Sequence, residues 1–183
     1  AREAEIKKMS VVYKQIADEI LPKLRRSKVS VNAEKKGKSD ETLLAFALDT
    51  TKGKLTEEEF LFTATIAKSK QDAISILTNG TTVYPNSWKL FNNLGCANVE
   101  QSNLPAAQTA FVKADELSEG DKAVKNNLGV VAVKQGNLAK GLEYFQVAQG
   151  AGSEVKYNMG VIKVKEGDYS AAVSMFGSNA TFN

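Results

Sequence analysis

The chain contains no histidine. Without an imidazole, neither a Ser-His-Asp triad nor a Cys-His dyad can be assembled. Cysteine is almost as scarce: Cys96 stands alone, so no internal disulfide can form. That suits a reducing compartment, though it leaves room for an envelope protein without bridges. It also leaves a zinc ion only one thiol and carboxylates, a poor donor set. No apolar run reaches the roughly 18 residues of a membrane-spanning helix. No Gly-x-x-x-x-Gly-Lys phosphate cradle occurs. The chain opens at Ala1 without methionine or an apolar leader, as after removal of a targeting segment or in a piece of a longer protein. Neither catalysis, a metal nor a cofactor is expected from these residues.

What is there is globular in composition, with 43% hydrophobic and 25% charged residues over a length of 183. The net charge of +3 is uneven. Residues 1–54 hold 13 Lys/Arg against 8 Asp/Glu, leaving 11 against 13 for residues 55–183. The basic group Arg25, Arg26, Lys28, Lys35, Lys36 and Lys38 has no interleaved aromatics. It reads as a solvated face rather than a nucleic-acid surface.

Internal repeats organise the rest. Asn92-Asn93-Leu94-Gly95, Asn126-Asn127-Leu128-Gly129 and Tyr157-Asn158-Met159-Gly160 share one pattern. After each glycine comes a turn signal, then a small residue (Ala107, Gly141, Ala172), then an aromatic (Phe111, Phe145, Phe176). Gly95 and Gly129 are 34 residues apart, Gly129 and Gly160 only 31. Offsets within each repeat are constant, which places the shortening in the connection at residues 149–153. A weaker unit precedes these, with Ala73 and Leu77 in register. Its first helix should start at Thr56-Glu57-Glu58-Glu59, a capping box with acids on the positive helix end.

Apolar steps of three and four mark these segments as helical. Glycine inside a helix costs about 1 kcal/mol against alanine, so Gly95, Gly129 and Gly160 imply close approach of the paired helix. Ala107, Gly141 and Ala172 should face them, with the three phenylalanines filling the wider gap between pairs. Gly136 and Gly167 suit left-handed helix ends. Asn103, Asn137 and Asp168 suit N-caps, and Pro105 fits a first turn.

This pattern resembles the tetratricopeptide repeat (TPR) family. The match is carried by Trp88, Leu94, Gly95, Ala107, Phe111 and Ala114, by Leu128, Gly129, Phe145 and Ala148, and by Gly160, Ala172 and Phe176. Asn98, Ala132 and Lys163 depart from it where the family has an aromatic, and the closing proline is missing from the strong repeats. The resemblance implies a mainly α fold, an α-α superhelix of TPR helix pairs, with a small N-terminal helix/strand segment. Residues 1–53 form that segment, and 54–183 the array: a divergent repeat at 54–87, then 88–121, 122–152 and 153–183.

Residues 3–25 read as an amphipathic helix through Ile6, Met9, Val12, Ile16 and Ile20. Residues 29–33 alternate as a strand, and a turn and a short helix at 42–48 follow. The Arg25-Arg26 corner, strand and Gly-Lys-Ser-Asp turn are faintly similar to the tail of an OmpA-like domain. That likeness implies contact with peptidoglycan and a periplasmic or outer-membrane-associated location, with the cytoplasm as the alternative. Residues 180–183 look like the start of a further helix, so continuation beyond Asn183, or packing of that end on another molecule, is expected.

First helices line the concave face of such stacks. The resemblance places ligand positions at Asn92, Asn93, Cys96 and Val99. The next repeat offers Asn126, Asn127, Val130, Val133 and Lys134, and the last Tyr157, Asn158, Val161, Val164 and Lys165. Asn93, Asn127 and Asn158 recur in register. An amide there can grip a peptide unit as donor and acceptor, or can bond a neighbouring helix end. Glu58 and Glu154 stand where a carboxylate clamp would need lysines, so a clamp for a C-terminal carboxylate is not supported. The valines favour an apolar groove for an extended or helical segment of a protein or peptide. The expected role is an interaction scaffold; the alternative is an envelope anchor whose repeats act as spacer.

Overall fold

Capping chemistry sets the element boundaries. A computed structural model describes residues 37–177, and among them nine helices and no strands are present. They are α1 (Asp40–Leu48), α2 (Glu57–Thr65), α3 (Lys70–Val83), α4 (Trp88–Glu100), α5 (Leu104–Leu117), α6 (Lys122–Lys134), α7 (Leu138–Val147), α8 (Ser153–Glu166) and α9 (Tyr169–Phe176). Ser39, Ser69, Ser87, Asn103, Asp121, Asn137 and Asp168 each accept a hydrogen bond from an amide of the first turn they open. Thr56 and Glu59 form the expected reciprocal box at the start of α2. Such caps are each worth about 1 kcal/mol. Only α8 begins without a side-chain cap, at Gly152.

The turns closing α4, α6 and α8 have a left-handed residue at one register position. Gly136 (φ 87°) and Gly167 (φ 81°) adopt it without steric cost. In the preceding repeat Ser102 takes it, at φ 58°.

The helices pair as α2–α3, α4–α5, α6–α7 and α8–α9, and each pair packs on the next. The fold is an α-α superhelix. Buried side chains form a rail through it. Leu43, Ala47, Leu55, Phe60, Ile76, Leu77 and Leu90 fill its start. Ala107, Phe111, Leu128 and Val131 follow, then Phe145, Ala148, Val155 and Ile162. Asn98, found where the TPR pattern has an aromatic, is buried. It is satisfied by donating its amide to the Leu94 carbonyl at 2.8 Å.

One expectation is extended and one is corrected. Each phenylalanine lies over the glycine of its own pair, and Phe111 and Phe145 also pack between pairs as expected, against Leu128 and Val131 and against Val155 and Ile162 of the next one. A Cβ on Gly95 would come 2.5 Å from the Phe111 ring, and one on Gly160 2.5 Å from Phe176; Gly129 and Phe145 repeat the arrangement. The glycine is therefore the seat of the ring. Gly141 does face Gly129 closely, since its Cβ would lie 3.2 Å from the Gly129 carbonyl oxygen. The correction concerns the short repeat. α5 has 14 residues and α7 only 10. The loss falls on the last turn of α7, and the connection to α8 does not shrink.

α1, which the sequence grouped with the N-terminal segment, packs against α2 and α3. Leu43 and Ala47 sit in the same cluster as Phe60 and Ile76. The compact unit carrying the repeats starts at Lys38. The amphipathic helix at 3–25, the strand at 29–33, the basic residues up to Lys36 and the helix start at 180–183 lie outside the described residues. Lys38 is described, and it pairs with Glu59 at 2.7 Å.

Candidate functional site

First helices touch one another along the stack: α2 meets α4, α4 meets α6 and α6 meets α8. Among the described residues, the second helices make no comparable contact with their successors. The face built by the first helices is thus the inner, concave one. The expected positions on these helices are Asn92, Asn93, Cys96 and Val99 of α4, Asn126, Asn127, Val130, Val133 and Lys134 of α6, and Tyr157, Asn158, Val161, Val164 and Lys165 of α8.

The structure draws six of the expected positions into one cavity. Val130, Val133 and Lys134 of α6 face Asn158, Val161 and Lys165 of α8 across a groove of about 370 Å³. Phe145 of α7 also lines it, and that ring is itself fully buried in the third core cluster. The walls are therefore valine, with two exposed ammonium groups in register at Lys134 and Lys165.

A second depression, of about 350 Å³, lies between α2–α3 and α4 and is lined by Asn93, Cys96, Glu100 and Lys70 among others. Lys70 and Glu100 pair across it at 3.7 Å. Cys96 is half-buried. Burial first, and Glu100 second, push its thiol above the ordinary range. A protonated thiol without a base is a poor nucleophile, so Cys96 acts here as a wall.

The asparagines form a ladder. Asn127 donates to Asn92 Oδ1 at 2.9 Å, and Asn158 donates to Asn126 Oδ1 at 2.9 Å. Each second asparagine thus reaches back one repeat to a first asparagine. Neither bonds a helix end, as one reading of the sequence allowed. Asn127 Nδ2 also approaches Cys96 Sγ at 3.9 Å. Asn93 ends the row, accepting from its neighbour Asn92 at 3.3 Å. At the other end Tyr157 replaces the first asparagine. It is exposed and packs on Phe176, with ring centroids 5.1 Å apart. Asn92 and Asn126, both among the expected ligand positions, each accept from the repeat that follows.

No group of three or more metal-ligating side chains is gathered among the described residues. No described helix is long and apolar enough to cross a membrane.

Helix pairs stacked with glycine-seated rings and a concave first-helix face define a TPR-like helical repeat fold. No protein-family model matches the chain, and no curated protein matches it either. Solved structures do. YrrB, described as a TPR protein with an unusual peptide-binding site, is 20% identical with a TM-score of 0.59, covering 74% of each chain. A MamA crystal structure is also 20% identical, with a TM-score of 0.59 over 72% of this chain and 78% of that one. MamA from Desulfovibrio magneticus RS-1 is 16% identical with a TM-score of 0.62, over 96% of this chain and 91% of its own. At these identities the likeness is one of fold.

Proposed function

We propose that the chain is a protein-interaction scaffold whose concave face binds a peptide or protein segment, seated chiefly between α6 and α8. The observation that carries this reading is the valine-walled groove with Lys134 and Lys165 at its edge. Open apolar walls lose water on contact with apolar side chains, at about 25 cal/mol per Å². The two ammonium groups favour an acidic residue beside them. The preferred ligand is therefore an extended or helical stretch with apolar side chains and an acidic flank.

The asparagine ladder supports the same reading. It holds the Nδ2 groups of Asn127 and Asn158 in bonds between repeats. Their Oδ1 atoms stay available to accept from peptide N–H groups, in fixed orientation. A pre-oriented acceptor costs less entropy on binding than a mobile one. The absence of catalytic chemistry noted in the sequence is consistent with a scaffold.

Selection of phage-displayed peptides on the immobilised chain tests this. Enriched sequences should combine apolar and acidic residues. They should bind the wild type and lose at least about tenfold in affinity to Val161→Glu or to Lys134→Glu/Lys165→Glu. Thermal melts of the variants should match the wild type. Enrichment indifferent to these substitutions would move the interaction elsewhere and overturn the proposal.

A further inference from the structure

The missing last turn of α7 leaves its mark on the far side of α8. At the preceding junction, the end of α5 brings Asp115 to Lys125 of α6 at 2.7 Å, both largely screened from solvent. The Tyr144 ring of α7 lies beneath, with Lys125 Nζ 5.9 Å from its centroid. Carboxylate, ammonium and aromatic ring together close that junction.

One repeat later two of these three positions have changed. Gln149 follows Asp115 by 34 residues, as Phe145 follows Phe111. Lys156 follows Lys125 by 31, and Met175 follows Tyr144 by 31, as Gly160 follows Gly129. The lysine is kept, the acid has become a neutral amide, and the ring has become a thioether. α7 stops at Val147, so Gln149 lies beyond the helix. A cavity of about 460 Å³ results, lined by Gln149, Gly150, Val155, Lys156, Met159 and Met175. Lys156 is exposed and has no ion-pair partner among the described residues.

We propose that this cavity is a second binding site, separate from the concave groove, that accepts a helical turn of a partner protein bearing a carboxylate beside an apolar side chain. The preceding junction shows what fits: the last turn of α5, with Asp115 on the lysine. Val155, Met159 and Met175 supply an apolar floor, and methionines adapt to differing shapes. Lys156 supplies the charge-assisted hydrogen bond to the carboxylate. The site faces away from Asn158, Val161 and Lys165, so one chain can hold a segment in each place.

The chain has three methionines, Met9, Met159 and Met175. Methyl-13C methionine labelling of the full chain therefore reports the cavity through two signals and leaves Met9 as a control. The probe is a synthetic peptide of residues 108–119, which contains the last turn of α5. Saturable shifts of Met159 and Met175, with Met9 unmoved, are expected at up to millimolar peptide. A peptide with Asp115→Asn should bind about three- to tenfold more weakly, and Lys156→Gln in the protein should match that loss. Gln149→Asp should also weaken binding, by offering Lys156 an internal carboxylate. Melting of each variant would confirm that the exposed positions are substituted without unfolding. No saturable shift, equal movement of Met9, or equal affinity for the Asn peptide would each overturn the proposal.

Discussion

Replacing Gly95 by alanine should destabilise this protein, although alanine is the better helix former. On a free helix the substitution would gain about 1 kcal/mol. Here the new methyl would stand 2.5, 2.6 and 2.8 Å from three atoms of the Phe111 ring. Carbon atoms prefer separations of about 3.5–4.0 Å. The ring is 1% exposed and cannot swing into solvent. Overpacking of this kind costs about 1–3 kcal/mol, and three contacts on a rigid ring argue for the upper end. The net loss is therefore about 2 kcal/mol, or roughly 1 M in urea midpoint at a slope of about 2 kcal/mol/M. Circular dichroism at the helical band, followed through a urea titration, measures it. The reasoning also requires coupling. In Gly95→Ala/Phe111→Leu the shorter side chain makes room, so the double variant should be more stable than the sum of the single changes by about 1–2 kcal/mol. A Gly95→Ala protein more stable than wild type, or strictly additive effects, would refute the glycine-seat account.

Two further outcomes test the concave face. Asn92→Ala and Asn127→Ala should each cost about 1 kcal/mol in the same titration, and the double variant little more than one of them, because both remove one shared bond. Alkylation of Cys96 by iodoacetamide should be slower than that of a free cysteine and should accelerate only above the ordinary thiol range. Because burial is the first cause of the raised pKa and Glu100 the second, Glu100→Gln should move that pH profile down only slightly. A large movement would reverse that order of causes.

Features written in local chemistry were legible in the sequence. Thr56 and Glu59, Asn103, Asn137 and Asp168 announce helix starts because a cap needs only residues within one turn. Gly136 and Gly167 announce ends for the same reason. The groove valines were legible through register: once Gly129 and Gly160 are aligned, Val130 and Val161 fall together. What needed coordinates was partnership across elements. A glycine at 95 and a phenylalanine at 111 are both visible, but not that one lies on the other. Three asparagines in register looked like one row, yet the bonds run diagonally, from Asn127 to Asn92 and from Asn158 to Asn126. The 31-residue spacing showed that something was shortened. Only the lengths of α5 and α7 show that a helical turn was lost.

That lost turn makes the stack mechanically uneven. In a solenoid each pair is held only by its neighbours, so strength belongs to junctions rather than to the whole. The junction before α6 is fastened by a screened ion pair over a ring; the one before α8 has a cavity there and an uncapped helix start. Under tension along the axis, α8 and α9 should peel away as a unit while α4 to α7 hold. Hydrogen exchange should show the same order without force, the amides of α8 exchanging before those of α6. A guest lodged in the cavity would act as a rivet there, stiffening the weakest seam of the array.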